Sequence, residues 1–142
     1  MKNILLIFAL IVSTVTFAQE EWGDMKENKL TLNEIAPVWP GCSGSIAAKK
    51  SCFTKNLNAH VVKNFKYPMA EYKKNIEGRV VVDFMINVKG LPEIKSIAGG
   101  NKGLQEEARR NIMLLPKMKP GMLGGKPRAI NYKVPFNFKT GK

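Results

Sequence analysis

Cys42 and Cys52 are the two cysteines of this 142-residue chain, and His60 is its one histidine. A catalytic dithiol favours the Cys-x-x-Cys spacing that lowers the pKa of one thiol, and these two cysteines lie farther apart. A zinc site calls for about four ligands, which two cysteines and a distant His60 cannot supply. Nucleophilic chemistry fares no better, since neither a Gly-x-Ser-x-Gly elbow nor a Ser-His-Asp context is present. Glu106 and Glu107 are neighbours in a helical stretch, so they point in different directions and do not form a general acid–base pair. No catalytic residue, metal or cofactor is expected, and His60 reads as a half-buried helix residue. These residue types leave a binding domain, and the cysteines become a candidate staple.

The N-terminus decides whether that staple can form. Met1-Lys2-Asn3 is a short positive start, Ile4 to Val12 is unbroken apolar, and Thr16-Phe17-Ala18 puts small residues at a cleavage site. That order is a secretory signal peptide over residues 1–18, and the apolar core is shorter than the roughly 20 residues needed to span a bilayer. Membrane association is expected only if the segment stays uncleaved. Export carries Cys42 and Cys52 to an oxidising compartment, where an even cysteine count reads as a disulfide. Closing the loop would remove unfolded-state entropy worth about 3 kcal/mol. The net charge of +12 would suggest nucleic acid in a cytoplasmic protein. Export and singly scattered lysines argue for no nucleic acid here, and for a solvated basic surface instead.

The elements that must position these residues follow from periodicity. Residues 19–35 are polar and mostly charged, which reads as a flexible arm, and residues 36–142 make one domain. Ala36 to Cys42 is forced into an extended, turning path by two prolines and a glycine, and Ser43 to Ser51 reads as the loop closed by the disulfide. Thr54 is expected to cap a helix with Leu57, Val61 and Phe65 on its apolar face. Tyr67-Pro68 breaks it, and Pro68 starts a second short helix through Lys74. Val80, Val82, Phe84 and Ile86 alternate as a strand, Lys89-Gly90 turns, and Glu93 to Ala98 returns. A helix from Lys102 carries Leu104, Ala108, Ile112 and Leu115 inward, with Glu106, Arg109 and Arg110 outside, until Pro116 stops it. Pro120 to Pro127 is a tight basic connection. The last strand puts Ile130, Tyr132, Val134, Phe136 and Phe138 on one face and Asn131, Lys133, Pro135 and Asn137 on the other.

The resulting class is α+β, a three-stranded antiparallel sheet packed against two main helices. The final strand can pair with the first hairpin strand and so lie at a sheet edge. Pro135 has no amide hydrogen and belongs where that bond is not needed. With Pro135 facing out, Asn131, Lys133, Pro135 and Asn137 present an open edge for an extended peptide. An equally open reading is that Pro135 and Lys133 guard the edge against aggregation.

Several segments together resemble the C-terminal domain of TonB energy transducers. Val38-Trp39-Pro40-Gly41 is similar to the family's Pro-x-Phe-Pro-Gly, with tryptophan for phenylalanine. Asn64-Phe65-Lys66-Tyr67-Pro68 resembles Asn-x-x-Tyr-Pro, and Gly78-Arg79-Val80 resembles Gly-x-Val. Pro116-Lys117-Met118-Lys119-Pro120-Gly121 resembles Pro-Lys-Trp-x-Pro-Gly, with methionine for tryptophan. Gly125-Lys126-Pro127, Tyr132 and Pro135-Phe136-Asn137-Phe138 extend the likeness, which runs from about Pro37 to Phe138. The resemblance implies a periplasmic, non-enzymatic domain that grips TonB-box segments of outer-membrane transporters by adding a strand to its sheet, in energy-coupled transport. A full transducer also has a spanning anchor and a proline-rich spacer, and Gln19 to Ile35 contains no proline. The alternative is a soluble accessory or structural envelope protein that pairs with itself as a homodimer, with no transport role.

Overall fold

The computed structural model describes residues 34–142. The expected signal peptide and most of the expected arm lie outside the described residues. The last two arm residues, Glu34 and Ile35, are described, and they form a short strand β1 (Glu34–Ile35).

The first helix, α1, spans Ile46–Asn64 and starts well before Thr54. Ser45 caps it, its hydroxyl accepting from the Ala48 amide at 3.2 Å. Residues 46–51 are therefore helix and not loop, and Cys52 sits inside the helix. Phe53 and Leu57 are its buried positions, one turn apart, with Val61 and Phe65 packed at the rim of the core. Phe65 leaves the helix in extended geometry. The short helix α2 (Met69–Lys73) follows Pro68, as the proline break requires.

The strand β2 (Gly78–Ile86) is the spine of the main sheet. Val80, Val82, Phe84 and Ile86 are all at 0% exposure on one face. Each contributes about 1.5–3 kcal/mol by leaving water. The return strand β3 (Pro92–Ala98) pairs antiparallel with it, but the register slips from Asp83 opposite Ser96 to Phe84 opposite Ile94. Lys95 is thus an extra residue, a β-bulge. The bulge has a packing reason. Ile94 and Ile97 are an odd number of residues apart, and only the extra residue lets both pack on the core. At the hairpin tip, Gly90 has φ +80°, and a Cβ there would fall 1.7 Å from the Met118 carbonyl oxygen. Only glycine fits.

The helix α3 (Lys102–Met113) is capped by Asn101, whose side chain accepts from the Leu104 amide at 3.0 Å. Leu104, Ala108 and Ile112 are fully buried against the sheet. The connection after Pro116 is a hairpin of β4 (Gly121–Leu123) and β5 (Lys126–Arg128), and β1 pairs with β4 to complete a second small sheet in the order β1-β4-β5. Finally β6 (Ile130–Phe138) pairs antiparallel with β2, so the main sheet runs β3-β2-β6. The α+β architecture expected from periodicity is present, with α1 and α3 supplying the buried helical positions.

One ion pair within α3 also fastens the end of α1. Glu107, 9% exposed, receives Nε and Nη2 of Arg110 at 2.7 and 2.6 Å and the Lys66 amide at 2.9 Å. Arg110 Nη2 also donates to the Asn64 carbonyl at 2.6 Å, capping the C-terminal end of α1 where positive charge is favoured. The Asn-Phe-Lys-Tyr-Pro break is held in place by this latch. The expected outward position of Arg110 is not what is found: its head group turns in to the Glu107 carboxylate and the Asn64 carbonyl.

Candidate functional site

The edge strand β6 makes nine consecutive pairs with β2, from Gly78 opposite Phe138 to Ile86 opposite Ile130, with no bulge. Its helix-facing residues are anchored by aromatic packing. Tyr132 lies 4.7 Å from Phe53 and 5.8 Å from Phe84 by ring centroids, and Phe138 lies 4.9 Å from Phe65 and 5.4 Å from Tyr67. Phe136 and Phe138 are 2% and 1% exposed. Burial pushes the Tyr132 phenol up to about 12, with a smaller push from the Glu34 carboxylate.

The other face of β6 is exposed at Asn131, Lys133, Pro135 and Asn137, as the alternation required. Pro135 stands opposite Val81, and pairing continues on both sides of it. Lys133 Nζ is 3.9 Å from Asp83 on β2, and Lys95 Nζ reaches Asn131 Oδ1 at 3.4 Å. Asp83, Lys95, Asn131, Tyr132 and Lys133 line a shallow open depression of about 340 Å³ that crosses all three strands of the main sheet. After β6 the chain turns toward β2, because Glu77 accepts from the Thr140 amide at 2.6 Å and its hydroxyl at 2.8 Å. Those bonds hold the Glu77 carboxyl below its usual range.

The two cysteines are joined, with a Cα–Cα distance of 6.0 Å. Asn56 Nδ2 stands 3.4 Å from each sulfur. Trp39, next to this bond, is half-buried and meets Phe53 and His60 edge-on, each at 6.0 Å. His60 is occupied structurally: Nε2 lies 3.0 Å from the Asn111 carbonyl and Nδ1 is 3.3 Å from the Asn64 amide. The bond and the four edge residues occupy different parts of the domain, and Phe53 links them by touching both Trp39 and Tyr132. The sequence does not show that link, because a helix capped at Thr54 leaves Phe53 outside it. The apolar spacing of Phe53, Leu57 and Val61 was the available signal.

The sequence matches the family described as "Gram-negative bacterial TonB protein C-terminal" over residues 63–140. No curated protein matches it. Among solved structures, it is similar to the solution structure of the C-terminal domain of TonB from Helicobacter pylori, residues 179–285. The identity is 21%, covering 72% of this chain and 88% of that one, with a TM-score of 0.46. A shorter version of the same domain, residues 194–285, is also 21% identical, covering 63% of this chain and 96% of that one, with a TM-score of 0.41. The matched span takes in α3, all three strands of the main sheet and the β4–β5 hairpin. This chain belongs to the TonB C-terminal domain family.

Proposed function

We propose that this domain grips extended peptide segments by adding them as a strand to β6, and that its ligands are the TonB-box segments of outer-membrane transporters. Asn131, Lys133, Pro135 and Asn137 mark the docking edge. The observation that carries the reading is the regularity of β6: a nine-residue edge strand, unbulged, pairing through a proline. A proline tolerates such a place only where its missing amide is not needed, so the backbone groups of residues 131, 133, 135 and 137 face outward. Alternation then turns those of Tyr132 and Val134 toward β2. Main-chain bonds to that row supply affinity, and side chains on alternate positions supply selectivity. Proteins of this family work at the bacterial envelope through protein contacts and not through catalysis, which agrees with an export signal and a stapled fold.

Calorimetric titration of the oxidised chain, residues 19–142, with TonB-box peptides tests the reading. Saturable binding that weakens on Lys133→Glu supports it. A folded chain that binds none of the peptides contradicts it, and concentration-dependent dimers in the same sample would point to self-pairing of the edge.

A further inference from the structure

The Cys42–Cys52 bond ties the segment before α1 to the second turn of that helix. Those two turns have little else to hold them. Ile46, Ala47, Ala48, Lys50 and Ser51 are exposed, and the first turn has no acidic residue. Lys49 and Lys50 lie near the positive end of the helix dipole, where cations are disfavoured. Phe53 follows Cys52 directly, is 2% exposed, and carries Tyr132 of the docking strand on its ring at 4.7 Å. Releasing the clasp therefore loosens the support beneath the middle of β6.

The bond is also reachable. Both cysteines are half-buried, and Cys42 opens into a groove of about 390 Å³ that Trp39, Lys117 and Lys119 also line. A groove lined by two lysines as well as Cys42 favours the approach of a thiolate. Asn56, four residues after Cys52 on the same helix, has its amide within 3.4 Å of either sulfur and can donate to a departing thiolate.

We propose that this disulfide is an exchange site whose redox state sets the docking edge: a dithiol partner entering the Trp39 groove opens it, and the opened chain binds extended peptide more weakly. One thiolate of the dithiol attacks Cys42 Sγ, the Cys42–Cys52 bond breaks, and Cys52 leaves as a thiolate that takes up a proton. The second thiol of the dithiol, after losing its proton, attacks the mixed disulfide and releases Cys42, which is protonated in turn. Two electrons pass to the protein, and the partner leaves as its disulfide. The affinity half of this proposal rests on the peptide-docking reading; the opening of the clasp and the loosening of β6 do not.

The test treats the oxidised chain with dithiothreitol, alkylates the opened thiols for mass spectrometry, and follows amide hydrogen exchange in the same samples. Lys117→Gln with Lys119→Gln should slow opening several-fold while leaving the Tm of the oxidised form unchanged. Opening should speed exchange of the β6 amides several-fold while the β2–β3 hairpin stays protected. Unchanged opening rates in the lysine variant, or unchanged β6 exchange after opening, overturns the proposal. So does reduction that unfolds the whole domain, which would make the bond a staple only. Peptide titration of both forms separates the two readings. Weaker binding by the opened form supports the proposal, and equal binding overturns it alone. An oxidised chain that binds no peptide overturns the docking reading and the affinity half together, leaving hydrogen exchange to decide the clasp.

Discussion

The main sheet has two edges, and they are built differently. β3 is seven residues long, begins at a proline and carries a bulge at Lys95, and its core contacts are the half-buried Ile94 and Ile97. β6 is nine residues long, regular, and bolted to the core by Phe136 and Phe138. Bulges and prolines are the usual protection of an edge against unwanted pairing. In β3 the proline sits in register opposite Ile86 and the bulge at Lys95 shifts the pairing, whereas β6 carries a proline and no shift at all. The contrast teaches that one edge has an interrupted register and the other a continuous one, which is why the proposed docking is assigned to β6.

Weakening the anchors gives the largest expected effect. Phe136→Ala should cost about 3–5 kcal/mol in urea unfolding, whereas Ile94→Ala on the partly exposed β3 should cost less, about 1–2 kcal/mol. Equal losses would erase the difference between the edges. Removing a single outward amide comes next. Lys133→Pro should abolish peptide binding in calorimetry while lowering stability by less than about 1 kcal/mol, since an outward amide has no partner in β2. A loss near 3 kcal/mol would place that amide inward and reverse the proposed register.

Alkaline titration should also distinguish the two edges, because β6 holds a half-buried phenol and β3 holds no tyrosine. Burial raises Tyr132, so its neutral form is favoured in the folded state. That contribution is fully present below the ordinary value of 10 and is lost as the pH rises through about 12. Tyr132→Phe should flatten this part of the alkaline unfolding curve relative to the parent. The smallest effect is expected for the exposed Lys133–Asp83 pair. Lys133→Ala should change stability by less than about 0.5 kcal/mol, so any fall in peptide affinity can be assigned to docking.

Much of the main sheet was legible because its signals are local. The alternation of Val80, Val82, Phe84 and Ile86, and of Tyr132, Phe136 and Phe138, fixes which residues turn inward, and Pro68 and Pro116 stop helices wherever they stand. What escaped reading depends on distant partners. The first turns of α1 look like a polar loop, because their support comes from Ser45 and from a bond to Cys42. Glu34–Ile35 and Gly121–Leu123 are too short to show a period, and Glu34–Ile35 becomes a strand only by meeting Gly121–Leu123, which pairs with Lys126–Arg128 on its other side. The Lys95 bulge answers to packing, and the inward turn of Arg110 to Glu107 and the Asn64 carbonyl, which no spacing reveals. For the candidate edge, the sequence carried the alternation and the proline, while the absence of a bulge across nine pairs is a property of the folded register.

The most direct test places a photo-crosslinking residue in turn at positions 131 and 133 of β6 and at positions 93 and 96 of β3, then adds a TonB-box peptide to the oxidised chain. Crosslinks from 131 and 133 with none from 93 or 96 are the result expected if β6 is the docking edge. Crosslinks concentrated on β3 would contradict the account.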